Sequence, residues 1–247
     1  MKIVVVGGTG LIGQKLIPLL QEQGHTTVSA SPRSGVNAVT GEGLAECLAG
    51  ADIVVDVSNS PSFADEEVRN FFDRSTRNLL AAEQQAGVKH HIALSVVGAD
   101  GMPESGYMRA KVLQEKLIEA GGIPYTIVRA TQFYEFVGTI LGANTRDDGI
   151  RLPSAMFQPV AAMDVAKSLA EVVGTPPRQG IANLAGPDAM PMDQFARRYL
   201  TLMKSPQVVI TDPAATYFGM PLAERSLVPD RAEWLGELAL EEWGAGQ

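Results

Sequence analysis

The chain opens on an apolar run, Ile3-Val4-Val5-Val6, and turns at once into Gly7-Gly8-Thr9-Gly10-Leu11-Ile12-Gly13. No other stretch constrains the fold as tightly. The β-branched run predicts a buried strand, and the apolar residues Leu11, Ile12, Leu16, Leu19 and Leu20 repeat at helical spacing after it. A strand that passes through glycines into a helix can cradle a dinucleotide. Gly7 or Gly8 permits the tight turn, Gly10 lets the backbone approach a pyrophosphate, and Gly13 lets the helix sit close to the strand. The free N–H groups of the new helix then face the phosphates. Gly7, Thr9, Gly10, Leu11, Ile12 and Gly13 are therefore candidate cofactor contacts; the competing reading is a purely structural glycine turn. Pro18 is expected to kink the helix.

Downstream, strand-like and helix-like segments alternate. Strands are expected at 26–30, 52–57, 91–97, 125–129 and 180–185, and helices at 11–23, 44–48, 64–86, 106–120 and 193–204. This order predicts an α/β fold, a Rossmann-like doubly wound parallel sheet with a small C-terminal substrate-binding region. A further short strand is expected at Ala38-Val39-Thr40, and Asp164 is expected to cap a helix. A length of 247 residues suits a single domain. Segments 133–160 and 186–247 are expected to supply the substrate-binding and lid elements, because the periodicity loosens there.

The charge balance, 20 basic against 28 acidic residues for a net −8, argues against broad binding to nucleic acid or an anionic membrane. No apolar run approaches the length of about 20 residues that a membrane helix needs. Met1-Lys2 leads straight into the first strand, so no signal peptide is expected, and Cys47 has no partner for an internal disulfide. A cytoplasmic protein is the expectation.

The end of the second strand bears on cofactor choice. An NAD-preferring site places Asp or Glu there for the ribose 2′-hydroxyl. This chain has Ala30-Ser31-Pro32-Arg33-Ser34. Arg33 can pair with a 2′-phosphate, and Ser31 or Ser34 can donate to it, so NADP is favoured over NAD. Arg33 as an ordinary solvated loop residue is the alternative. A second feature is Tyr107-Met108-Arg109-Ala110-Lys111, whose outer members share a helix face. Ser95 lies near the end of the preceding strand, where parallel sheets present functional groups.

With these residues in view, the chain resembles the short-chain dehydrogenase/reductase superfamily, in particular its atypical NmrA-like subgroup. The resemblance rests on Gly7-x-x-Gly10-x-x-Gly13, Ser95, Tyr107-x-x-x-Lys111, and the phrases Ala93-Leu94-Ser95-Val96-Val97-Gly98, Ile127-Val128-Arg129-Ala130-Thr131-Gln132-Phe133 and Pro159-Val160-Ala161-Ala162-Met163-Asp164-Val165-Ala166. It implies an NADP-dependent oxidoreductase passing a hydride between NADPH and a small carbonyl, quinone or enone. Tyr107 would exchange the proton, Lys111 would hold the nicotinamide ribose and favour the tyrosinate, and Ser95 would orient the substrate oxygen. Two departures stand out: Gly41-Glu42-Gly43 replaces an expected Asp near the adenine, and Ser58-Asn59-Ser60 replaces the usual motif after the strand at 52–57. Ser58 and Asn59 remain candidate cofactor contacts. The resemblance also admits a non-catalytic redox sensor acting through protein partners, and an epimerase using the cofactor transiently. It implies pairing of subunits through the helices at 64–86 and 106–120, so a homodimer is a candidate state.

Arg129, Gln132, Phe133 and Tyr134 follow or end a strand on the expected active side and are candidate pocket residues, with packing or capping as the alternative. Gln132, Phe133 and Tyr134 are the substrate-binding candidates. His90 and His91 are adjacent, so they face opposite ways on a strand, and no metal site is expected. Tyr217, Trp234 and Trp243 are read as packing residues.

Overall fold

The structure, a computed structural model, describes residues 1–246; Gln247, the last residue of the expected lid region, lies outside the described residues. β1 (Lys2–Val6) is followed by α1 (Leu11–Glu22), β2 (Thr26–Ala30), α2 (Leu44–Leu48), β3 (Ile53–Asp56), α3 (Asp65–Ala86), β4 (His90–Val96), α4 (Gly106–Ala120) and β5 (Tyr125–Ala130). Next come α5 (Tyr134–Ala143), β6 (Thr145–Arg146), β7 (Gly149–Leu152), β8 (Met156–Phe157), α6 (Ala162–Val173) and β9 (Gly180–Ala185). The chain ends in β10 (Met190–Pro191), α7 (Met192–Leu202), β11 (Val209–Thr211), β12 (Trp234–Leu235) and α8 (Leu240–Gly244).

Seven parallel strands form the main sheet in the order β12-β9-β5-β4-β3-β1-β2. The chain leaves β1 for β2 on one side and then returns to β3 on the other. That reversal opens a crevice beyond the carboxyl ends of β1 and β3, where doubly wound sheets bind ligands. α1 and α6 cover one face, with Ile12, Leu16, Leu20, Val165 and Leu169 packed on Ile3, Val5 and Ile92. Leu44, Leu48 and Leu79, from α2 and α3, cover Val4 and Val54 on the other face. Ile118 of α4 covers Ala93 and Ile127 there. A separate apolar cluster, built from Tyr134, Phe157, Phe195, Leu240 and Trp243 among others, joins α5, α7, α8 and the small sheets.

Local signals explain the boundaries nearest the crevice. α3 begins with Asp65, Glu66 and Glu67, which suit the positive helix end, and stops at Gly87 with φ +71°. Ser105 caps α4 by accepting the Met108 N–H at 3.3 Å.

Four sequence expectations change. Residues 38–40 are a turn rather than a strand, because the Asn37 carboxamide oxygen accepts the Val39 N–H and Asn78 of α3 occupies the Ala38 and Val39 carbonyls. α1 runs through Pro18 without interruption. Asp164 sits inside α6, where its carboxylate accepts the Leu238 N–H at 2.8 Å; Glu135 of α5 accepts the Ala162 N–H at the helix start instead. The tail divides its work: Trp234 and Leu235 pair with β9 as a sheet edge, while Tyr217–Met220 reaches the crevice.

Leu16 is fully buried between α1 and the sheet. Leu16→Ala is expected to cost about 2–5 kcal/mol of stability, read as a lowered urea midpoint at unchanged m-value.

Candidate active site

One cleft of about 1340 Å³ runs along the crevice. Its walls come from the glycine turn, the ends of β2, β3 and β4, the faces of α3 and α4, the segment after β5, and the tail.

At the glycine turn the backbones meet too closely for side chains. Gly7 has φ +81°, and a Cβ there would lie 2.8 Å from the Ser58 Cα. A Cβ on Gly13 would lie 2.4 Å from the Gly8 Cα. The cradle is therefore cut to its minimum width by sequence, and α1 starts at its rim with no acidic residue in its first turn. Gly7, Thr9, Gly10, Leu11 and Ile12 line the cleft, whereas Gly13 stands behind it and sets the helix–strand distance. This geometry fits a dinucleotide pyrophosphate.

The end of β2 divides the expected trio. Ser31 and Pro32 line the cleft. Ser34 does not. Its hydroxyl accepts the Ser31 N–H at 2.9 Å and lies 2.8 Å from the Ser29 carbonyl, so it closes the local turn. Arg33 is exposed on that turn, outside the cleft wall. Among the described residues no carboxylate lines this end; the acids along the cleft are Asp65, Glu67 and Glu104 from the α3 and α4 side. Ser58 and Asn59 line the wall opposite, and the Ser58 hydroxyl is buried without a partner.

Further along, Ser95, Tyr107 and Lys111 share the cleft. The Ser95 hydroxyl is buried and has no hydrogen-bond partner. Burial pushes the Tyr107 phenol up to about 12. Lys111 is only 2% exposed, and its ammonium donates to the Leu94 carbonyl at 2.9 Å and to the Gln114 carboxamide oxygen. It also lies 4.4 Å from the centre of the Phe72 ring. Burial pulls Lys111 down to about 8, against the upward pull of the Asp56 and Glu115 carboxylates. A neutral phenol, a buried ammonium and an unengaged hydroxyl thus line one cleft.

The substrate-side candidates separate. Gln132 and Phe133 line the cleft. Both polar atoms of the Gln132 carboxamide are buried without a hydrogen bond of full geometry, with the Tyr217 phenol in electrostatic reach. Tyr134 does not line the cleft. It is 1% exposed, its hydroxyl donates to the Leu238 carbonyl at 3.2 Å, and its ring packs between Phe195 and Trp243. Being the first residue of α5 turns it inward. Arg129 is likewise structural, forked onto Glu115 at 2.7 and 2.8 Å and bonded to Asp100 at 3.0 Å. His91 pairs with Glu83 at 2.9 Å, His90 meets Thr126, and neither lines the cleft.

Sequence reasoning missed Tyr217, read as packing. It lines the cleft within electrostatic reach of Tyr107, and burial pushes its phenol well up. It also missed Phe63, Phe136 and Phe218, exposed aromatics along the same cleft. Phe63 packs 5.6 Å from Tyr107, Phe136 is 5.9 Å from Phe133, and Phe218 is 4.8 Å from Tyr217. Exposed aromatics clustered at one cleft were the available signal.

The fold and cradle define a dinucleotide-binding Rossmann-like protein. The chain belongs to the NAD(P)H-binding family, whose model matches residues 7–176, in keeping with its resemblance to the short-chain dehydrogenase/reductase superfamily. Among curated proteins, it is 28% identical over 149 residues to the photosystem II assembly factor Ycf39 of Synechocystis sp., covering 55% of this chain and 46% of that protein. It is 27% identical over 169 residues to the isoflavone reductase homolog A622-like of Nicotiana tabacum, covering 57% of this chain and 51% of that one. The chain spans about half the length of these relatives. Among solved structures, MoeE5 in complex with UDP-glucuronic acid and NAD superposes with a TM-score of 0.77 at 18% identity, covering 100% of this chain and 97% of that one. A dTDP-4-dehydrorhamnose reductase from Bacillus anthracis in complex with NADP gives 0.72 at 15% identity, covering 89% and 87%. At such identities these two show the shared fold.

Gly7→Ala forces a left-handed residue to carry a Cβ against Ser58. It is expected to weaken NADPH binding roughly tenfold or more by fluorescence titration, with the far-UV circular dichroism retained. Unchanged affinity would detach the turn from the cofactor.

Proposed function

We propose that the protein is an NADP-dependent oxidoreductase that passes a hydride between NADPH and a small carbonyl, quinone or enone compound. The observation that carries this reading is the convergence of Ser95, Tyr107 and Lys111 on the cleft that starts at the glycine cradle. When bound, the nicotinamide supplies or accepts the hydride. Ser95 offers an unengaged hydroxyl to orient the substrate oxygen. Tyr107, protonated at neutral pH with its phenol near 12, is suited to donate a proton to that oxygen in the reducing direction. Lys111 supplies positive charge that favours the phenolate left behind and can hold the ribose hydroxyls. Gln132 and Phe133 line the substrate end. Tyr134 stands outside the substrate end, its hydroxyl held by the Leu238 carbonyl.

Phe63, Phe133, Phe136 and Phe218 along the cleft favour a planar, apolar carbonyl compound. Preference for NADP rests on Ser31 and Arg33 and on the missing carboxylate at the end of β2. Arg33 would have to fold inward over the cleft edge to meet a 2′-phosphate, as a long exposed side chain can. A second reading, a dinucleotide-binding protein without turnover that assists assembly or regulation, draws on the similarity to an assembly factor. The unengaged Ser95 hydroxyl, in the same cleft as Tyr107 and Lys111, favours the enzyme.

Tyr107→Phe is expected to lower NADPH-dependent turnover of a ketone, enone and quinone panel by roughly 100- to 10,000-fold while leaving NADPH affinity intact. Unchanged turnover would remove Tyr107 from the chemistry. Arg33→Ala is expected to weaken NADPH binding roughly tenfold or more and NADH binding little. Equal losses for both would defeat the 2′-phosphate argument.

A further inference from the structure

Lys111 is joined to a second buried charge by a chain of side chains that runs from α4 to β3. Its ammonium donates to the Gln114 carboxamide oxygen one turn along α4. The Gln114 carboxamide nitrogen donates to Asp56 Oδ2, at the end of β3, at 3.0 Å. Asp56 Oδ1 accepts the Ser58 N–H at 2.9 Å, in the loop that meets Gly7. Gln114 and Asp56 are 1% and 2% exposed.

The chemistry permits only one polarity. An ammonium can only donate and a carboxylate can only accept, so the carboxamide must turn its oxygen to Lys111 and its nitrogen to Asp56. The other charges nearby are already matched. Glu115, on the same helix, is forked onto Arg129, which also binds Asp100. Glu83 of α3 and His91 of β4 are within electrostatic reach of Asp56 and are paired with each other. α3 otherwise presents the Phe72 ring to Lys111, β4 presents the Leu94 carbonyl, and Tyr107 on α4 is neutral. Asp56 is thus the counter-charge left for Lys111, and Gln114 is the spacer that keeps the two from collapsing into a direct pair.

We propose that Asp56 and Gln114 are positioning residues for Lys111, holding its ammonium charged and aimed into the cleft while tying it to the Ser58 side of the cofactor cradle. A direct Lys–Asp pair would spend the ammonium on Asp56; the carboxamide uses one N–H, the Leu94 carbonyl a second, and the third remains for a ligand hydroxyl. This rests on reading Lys111 as a cofactor-binding residue. Without the counter-charge, only the pull of Glu115 opposes desolvation, and the ammonium loses its proton at lower pH.

The test is NADPH affinity as a function of pH, measured by fluorescence from about pH 6 to pH 10, which requires no turnover. In the wild-type protein, affinity is expected to fall as pH rises through about 8. In Gln114→Leu, whose side chain still separates the two charges but accepts nothing from the ammonium, and in Asp56→Asn the fall is expected at least about one pH unit lower. The double variant Gln114→Glu/Asp56→Asn reverses the order of carboxylate and carboxamide yet leaves every donor with an acceptor, and its fall is expected at or above the wild-type pH. A fall at the wild-type pH in a folded single variant overturns the proposal. If neither single variant folds, the double variant decides, and a fall below the wild-type pH overturns it. Absence of turnover with every substrate would defeat the oxidoreductase reading and leave this one standing.

Discussion

Two backbones meet at Gly7 with no space for a side chain, and the rest of the site depends on that contact. The chain reverses its direction of travel between β1 and β3, so their carboxyl ends form a crevice. Gly7 brings the turn after β1 against Ser58 after β3. Gly13 brings α1 against the same turn. A methyl group at either position would widen the crevice or displace the helix whose N-terminus faces it. The apolar layers behind it, Leu16 and Leu20 on one face and Leu79 on the other, hold that spacing rigid.

Charge is distributed along the crevice to match. Among the described residues the glycine end carries no acid, and the acids that line the cleft stand on the α3 and α4 side. Lys111 is the buried cation of the cleft, screened from water but answered by Asp56 through Gln114. Other ionic groups of the interior are closed upon themselves, as Glu115 is with Arg129 and Glu83 with His91. The Ser95 hydroxyl, by contrast, stays buried on the cleft wall without a protein partner, and the Gln132 carboxamide has only the Tyr217 phenol in reach. Buried polar groups without partners are costly unless a ligand completes them.

How much of this was legible follows from how local each signal is. The glycine spacing, the strand–helix alternation and the shared face of Tyr107 and Lys111 depend on neighbours a few residues apart, and the sequence carries them directly. α5 was missed because Gly138 and Gly142 dilute its pattern. Ser34 looked free because a hydroxyl near an arginine suggests phosphate, but a turn of three residues consumed it. Tyr134 looked like a pocket residue until its partner, the Leu238 carbonyl in the tail, fixed its direction. Asp56 and Gln114 are 58 positions apart and meet only through the sheet. Tyr217 enters from a tail whose prolines hide any periodicity, and no sequence window links it to Tyr107. Long-range contact, not residue chemistry, is what the sequence withheld.

The proposed hydride transfer between a bound dinucleotide and a carbonyl carbon would leave an isotopic trace in the product. Transfer of deuterium from NADPH labelled at the nicotinamide C4, followed by mass spectrometry of products from aromatic ketones and enones, tests it directly. Deuterium is expected fixed on carbon in at least one product, with one face of the nicotinamide used throughout. Tight NADPH binding with no label in any product would contradict it.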